Sequence, residues 1–335
     1  MAESGIERSD RKRLRTRLRV GSTLRVSENA VFGARIRSGS NRSHQSPHVT
    51  VADFDGNGTD SFAFGFDKWF FSWSGDRFEV SLGRNSLPLW KQSELIWDDD
   101  VTVLGIGSSL STEKFEINLG IFKLPVGLQS YSGTLRLGQL VHRSGSEDGR
   151  EQLVWGVGLL QIRAEPGEAD ALRLLDGNGS RDYTLITAGA QYSFELTGFG
   201  LRLGTELYRN LKDYGPMPID EFTRNHADEK SGFAIYAGIG RPESNSWDIS
   251  LTYASVDAFA VNSSYAQDDW LRWGTATESR GSNFAGYEVR VRYSILQNAN
   301  LQLRYDEVDA LELRSPSSIA KEDGQRFRLD LNFSF

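Results

Sequence analysis

The sequence contains no cysteine, which removes disulfide scaffolds and thiolate chemistry and suits a chain that passes through an oxidising compartment. No stretch approaches the roughly 18 consecutive apolar residues of a membrane-spanning helix. A barrel strand crosses with about 9 to 11 residues, only alternate ones facing lipid, so a mean hydropathy of −0.43 remains compatible with a membrane β-barrel. Met1 to Asp10 lacks the apolar core of a secretory leader, so an exported chain is expected to have carried one upstream. No sequence period marks a solenoid or a propeller. Neither a Gly-rich phosphate loop nor a nucleophile elbow is present, so no enzymatic activity is expected. The four histidines, at 44, 48, 142 and 226, include only His44 and His48 near ligand spacing, a weak metal signal. Lysine is scarce too: eight residues, at 12, 68, 91, 114, 123, 212, 230 and 321, leave thirty of the 38 basic residues as Arg. Arg keeps its charge when partly dehydrated and forks onto carboxylates, as a charged aqueous lumen requires.

What is present is β-forming. The 34 glycines and 11% aromatic content suit strands and turns. The final stretch, Arg326 to Phe335, alternates strictly: Phe327, Leu329, Leu331, Phe333 and Phe335 on one face, Arg326, Arg328, Asp330, Asn332 and Ser334 on the other. Two faces of such different character imply two different solvents. Arg11 to Val26 does the same, with Arg13, Arg15, Arg17 and Arg19 interleaved with Leu14, Thr16, Leu18 and Val20, and Ala30 to Arg37 adds Arg35 and Arg37. A disordered basic tail that binds nucleic acid has no reason to alternate, so no nucleic-acid partner is expected.

Further strands are expected at 61–73, 78–84, 101–110, 115–124, 134–142, 152–163, 182–194, 200–211, 233–239, 247–255, 285–295 and 301–306. The first of these ends in Trp69, Phe70, Phe71 and Trp73 beside a tight turn, as an interfacial aromatic girdle does. Connections alternate between a few residues and a dozen or more, the asymmetry of short periplasmic turns and long outer loops. The count is fifteen strands in one domain over residues 1–335. Bacterial single-chain barrels have even numbers, so an all-β transmembrane antiparallel barrel of sixteen strands is expected, its first strand lying upstream of Met1.

The terminal strand, closing on Phe, looks like that of outer-membrane β-barrel proteins. The runs Arg13–Gly21 (Arg-Leu-Arg-Thr-Arg-Leu-Arg-Val-Gly), Ala34–Gly39 (Ala-Arg-Ile-Arg-Ser-Gly) and Gly83–Trp90 (Gly-Arg-Asn-Ser-Leu-Pro-Leu-Trp), followed by Leu95–Asp100 and Leu104–Gly107, resemble the putative porin family of Gram-negative bacteria. The resemblance implies a bacterial outer-membrane location, contact with the lipid bilayer and lipopolysaccharide, a homotrimer, and passive diffusion of small hydrophilic or charged solutes. It also implies that the loop Asn85 to Asp100 folds into the lumen. Its carboxylates Glu94, Asp98, Asp99 and Asp100 would then face a basic wall of Arg13, Arg15, Arg17, Arg19, Arg35, Arg37 and Arg84 across a constriction with a transverse field.

One motif points elsewhere. Asp53, Asp55 and Asn57, followed by Gly58 and Asp60, carry oxygen at calcium-loop spacing, although position twelve is Phe64 rather than Glu. Bound Ca2+ is therefore a second expectation for this loop, no other cofactor is expected, and the alternative protein class is a soluble calcium-dependent β-rich binding module.

Overall fold

The structure, a computed structural model, describes residues 11–40, 44–56, 58–125, 133–146, 150–164, 182–214, 221–240, 245–270, 281–313 and 320–334. Alternation at period two builds strands throughout. Two of them, β1 (Arg13–Thr16) and β4 (Val49–Asp53), form a small separate sheet. The other fifteen make one antiparallel sheet: β2 (Arg19–Ser27), β3 (Ala30–Ser38), β5 (Phe64–Ser74), β6 (Phe78–Ser86), β7 (Thr102–Ser111), β8 (Phe115–Lys123), β9 (Gly133–Gly145), β10 (Glu151–Ala164), β11 (Tyr183–Leu196), β12 (Phe199–Asn210), β13 (Ser231–Gly240), β14 (Ser246–Val256), β15 (Phe284–Leu296), β16 (Ala299–Ala310) and β17 (Asp323–Phe333). Each strand pairs with the next, as in an up-and-down barrel. A short helix, α1 (Glu221–His226), lies in the connection from β12 to β13.

Connections of two to five residues at one end alternate with connections of nine to 27 residues at the other. β2 and β17 end the strand order and both run toward the short-turn end, so an upward strand between them would restore antiparallel pairing. Among the described residues no strand lies there, where the expected sixteenth would sit.

The convex face is apolar and open. On β17, Phe327, Leu329, Leu331 and Phe333 are each 57–68% exposed, while Arg326, Arg328 and Asp330 between them are half-buried on the concave side. Water would leave such a face as an aggregation site; lipid makes it the stable arrangement. Aromatic contacts gather at the short-turn end, where Trp73 meets Phe78 at 4.7 Å, Tyr192 meets Phe194 at 5.3 Å and Trp247 meets Tyr293 at 4.6 Å between ring centroids. Phe327, Phe66, Tyr253 and Tyr287 mark the other end. Two bands separated by aliphatic side chains are the interfacial girdles of a membrane barrel. Of the four clustered aromatics on β5, Trp69, Phe71 and Trp73 lie on this convex face, but Phe70 turns inward over Gly33, where an added Cβ would lie 2.5 Å from its ring.

Two expectations change. Arg11 to Val26 is not one strand: it breaks at Arg17 and Leu18, where Leu18 donates its N–H to Ser38 Oγ and Ser38 donates back to Leu18 O, at 2.9 and 2.8 Å. Beyond that clasp the chain leaves β3 and pairs with β4 instead, so Arg13 and Arg15 lie on the small sheet at the long-loop end. The concave side, expected to be wet throughout, is apolar in the half nearer the long connections. Leu135, Leu137, Leu160, Ile162, Tyr183 and Leu185 are at most 5% exposed, because inward segments cover them.

Leu251 sits mid-strand on the convex face of β14, and Thr252 on the concave face. Leu251→Arg places a charge in hydrocarbon and is expected to cost about 2–4 kcal/mol, Thr252→Arg far less. Chemical unfolding in lipid vesicles measures the difference; equal costs would remove the lipid from the convex side.

Candidate functional site

The connection 87–101 leaves β6, crosses the concave side and anchors on the strands beyond. Trp90 donates its N–H to Gln139 Oε1 at 2.8 Å and receives Gln139 Nε2 on its carbonyl at 2.7 Å. Its indole lies against Gly156, where an added Cβ would come within 2.8 Å of the ring, so the β10 backbone has the clearance that only glycine gives. Two residues on, Glu206 of β12, 3% exposed, accepts N–H groups from Gln92 and Ser93 and the Ser93 hydroxyl. Gln92 Nε2 reaches the Thr205 and Ala190 carbonyls at 2.7 and 3.1 Å. Burying a carboxylate is tolerable only when its oxygens are satisfied, and here the loop itself satisfies them. Leu95, Ile96 and Trp97 then bury completely.

A second connection also turns inward. From Ala258 to Gln267 every residue is at most 2% exposed. Trp97 stacks on Tyr265 with ring centroids 5.4 Å apart, and Asp98 donates its N–H to the Tyr265 carbonyl at 2.9 Å. A third segment joins them: Gln45 Nε2 donates to the Ala266 carbonyl at 2.6 Å, and His44 Nε2 lies 2.5 Å from the Ser264 carbonyl. Three outer connections thus form one plug against the apolar concave wall.

The acidic residues of 87–101 divide their partners. Asp100 pairs directly with Arg19 of β2. Asp98, 1% exposed, caps its own turn by accepting the Asp100 N–H at 2.7 Å, and its charge reaches Arg37. Asp99 pairs with Lys91 at 2.5 Å, within the loop. Glu94 reaches across toward Asp269 and Arg304. Burial, with Asp269 and Asp99 nearby, pushes the Glu94 carboxyl up to about 8 against the pull of Lys91 and Arg304.

On the basic side, a bulge in β5 opposite Arg35 and Ile36 turns Asp67 onto the same face as Arg35, where Arg35 Nη2 holds it at 2.6 Å. Arg37 is buried beside this pair. Arg84 follows Gly83, whose φ of 117° bends β6, and donates Nε to Thr102 Oγ1 at 2.9 Å. Arg15 donates to Ser46 Oγ at 2.9 Å; Arg13 and Arg17 are exposed. Arg19, Arg35 and Arg37 therefore form one wall, and Arg13, Arg15 and Arg17 belong to the outer end.

A second basic group, on the last strands, was not anticipated from sequence. Arg304 of β16 pairs with Glu288 and Asp269, and Arg328 of β17 holds Asp269 and Asp330, each at 2.8 Å, while Arg326 donates to the Asp269 carbonyl at 2.6 Å. Burial pushes the Asp269 carboxyl up, but Arg304 and Arg328 overcome it and hold it well below the usual carboxylate range. Asp269 thereby ties the 257–270 segment to the wall. Arg328 also donates to His48 Nε2 at 3.3 Å, and burial together with Arg15, Arg328 and Arg17 pushes that imidazole down to about 2, so it stays neutral.

The calcium-spaced residues are engaged as a turn. Asp53 Oδ1 accepts the N–H groups of Asp55 and Gly56, Asp55 takes that of Lys12 and Asp60 that of Thr50; Asn57 lies outside the described residues. The described carboxylates that converge with a histidine, Glu229 and Glu312 around His226, lie on other connections.

Residues 6–128 match the sequence profile of a family described as putative porin. No curated protein matches the sequence. Solved structures of similar fold include OprB of Pseudomonas putida, with 12% identity over 96% of this chain and 88% of that one at a TM-score of 0.59. They also include OpdK of Pseudomonas aeruginosa, solved with vanillate (13% identity, 96% and 83% coverage, TM-score 0.51), and OccAB4 of Acinetobacter baumannii (9%, 96% and 87%, 0.51). At these identities the structures speak for the fold, and the sequence match is a resemblance over the first part of the chain. The chain shares the β-barrel fold of these structures over nearly its whole length and resembles the putative porin family in sequence over residues 6–128, which places it in the bacterial outer membrane.

Proposed function

We propose that this barrel is a passive channel for small hydrophilic or charged solutes, narrowed by the inward segments 87–101 and 257–270. The observation that carries the reading is the anchoring of 87–101 on Gln139 and Glu206, far across the sheet from its own strands. A loop held on both walls divides the lumen and leaves any aqueous path lined by the charged groups on either side. Those groups, Arg19, Arg35 and Arg37 on one side and Glu94, Asp99 and the Arg304–Asp269–Arg328 cluster on the other, replace the hydration of small polar solutes and oppose apolar ones. Hydrogen bonds and ion pairs hold Gln139, Glu206, Glu288 and Arg304 at fixed points of this interior, which supports a role for them in shaping a channel.

Removing the anchor should widen the path. Glu206→Ala is expected to raise single-channel conductance in planar bilayers by about twofold or more, with larger current noise as the loop is freed. Unchanged conductance would show that 87–101 does not limit the flow.

The Glu94 carboxyl is neutral at pH 7 and gains its negative charge as the pH rises through about 8. Reversal potentials in a salt gradient should therefore shift toward cations between pH 7 and 9. Glu94→Gln should flatten that shift, and a shift of full size in the variant would place the titrating group elsewhere.

A further inference from the structure

Charges are absent from most of the convex face, and three consecutive strands break the rule at one place. Phe122 is buried inside while Leu119 and Ile121 are exposed outside, so Lys123, at the end of β8, shares the outer face with Ile121. Leu135 and Leu137 fill the interior, which puts Arg136 of β9 outside. Leu160 and Ile162 do the same for β10, which puts Arg163 outside. Lys123 and Arg163 stand opposite Thr134 from its two sides, and Arg136 is paired with Ile121 and Gln161, two residues along from each. Diagonal neighbours on a sheet lie about 7–8 Å apart, so the three cations form one exposed cluster beside the long connections.

Among the described residues no acid pairs with Arg136 or Arg163. The nearest carboxylate by register, Asp182, accepts the Ala164 N–H at 3.0 Å and faces Lys212 at 3.6 Å. The opposite side of the same rim carries an acid instead: Glu307 accepts hydrogen bonds from the Tyr287 and Tyr305 hydroxyls. One further cation, Arg209 of β12, faces outward on this rim opposite Ile186 and donates to Ser231 Oγ, two strands away from the cluster on β8–β10.

Directly below them, toward the membrane, the wall is hollowed. Gly138 of β9 faces outward and is paired with Leu119 on one side and Leu159 on the other. An added Cβ there would meet nothing closer than Leu119 Cδ2, at 3.8 Å, so packing does not demand a glycine. Its effect is a shallow trough between two exposed leucines, leading up to Arg136.

We propose that this patch binds a phosphorylated glycolipid of the outer leaflet, its phosphate on Lys123, Arg136 and Arg163 and an acyl chain in the trough over Gly138. The proposal rests on the outer-membrane placement with the long connections outward. Cations on a lipid-facing wall are tolerable only near the headgroup level, and there guanidinium forks match phosphate oxygens. An apolar trough beneath a cationic crown is complementary to an amphiphile with a phosphate at its polar end.

The test uses the purified, folded barrel in detergent and diphosphorylated lipid A as probe, with binding followed by native mass spectrometry. Arg136→Gln combined with Arg163→Gln should weaken retention at least tenfold, and Gly138→Leu should weaken it by filling the trough. Arg77→Gln, on a short turn at the other end, should leave it unchanged. Heat-modifiable mobility and bilayer conductance of the same variants, both expected at wild-type values, separate loss of the site from loss of the barrel or of the channel. Wild-type retention by the double variant would overturn the proposal. So would equal retention of dephosphorylated lipid A or of phosphatidylglycerol, or competition by inorganic phosphate as effective as that by the lipid.

Discussion

Hydrocarbon cannot hydrogen-bond a peptide group, and that constraint organises the molecule. Every N–H and C=O of a lipid-crossing segment must find its partner in another strand, so the chain builds a continuous antiparallel ladder in which each strand pairs with its sequence neighbours. Once the backbone is satisfied that way, the side chains are left with two solvents. The pleat sends alternate residues to each, which is why Phe327, Leu329 and Leu331 face outward while Arg326, Arg328 and Asp330 face in.

The interior solves a second problem. A cylinder of this many strands is too wide for its own side chains to fill, and three outer connections enter it. Each entry needs partners for both its apolar and its polar groups. Leu95, Ile96 and Trp97 find theirs in the apolar concave surface and in Tyr265. The polar groups are held at fixed points: Glu206 and Gln139 for one segment, Arg304 and Arg328 through Asp269 for the other. The proposed narrowing follows from these anchors, and so does the placing of Glu94 between two carboxylates and two cations.

The strands were legible because alternation is a local signal: fifteen were expected, and the main sheet has fifteen in the expected places. The break at Leu18 was not legible, because its cause is the distant hydroxyl of Ser38. The acidic loop could be picked out, but which carboxylate meets which cation could not, since Asp100 with Arg19 and Asp99 with Lys91 are matters of reach. The inward turn of 257–270 did leave a trace. Ala258 to Gln267 carries no charge within a long connection, a composition that suits burial better than an exposed loop. Glu206 and Gln139 looked like any other inward polar residue, because their value lies in a loop more than forty residues away.

The central claim is that lipid lies outside the sheet and water on its concave side toward the short turns. A chain without cysteine allows a clean test: single cysteines placed in turn from 327 to 333, each spin-labelled in reconstituted vesicles, with collision rates to oxygen and to a water-soluble nickel chelate measured by electron paramagnetic resonance. The account predicts period-two profiles in opposite phase, with oxygen highest at 327, 329, 331 and 333 and the chelate highest at 328, 330 and 332. Profiles in phase, or with the chelate highest at 329 and 331, would contradict it.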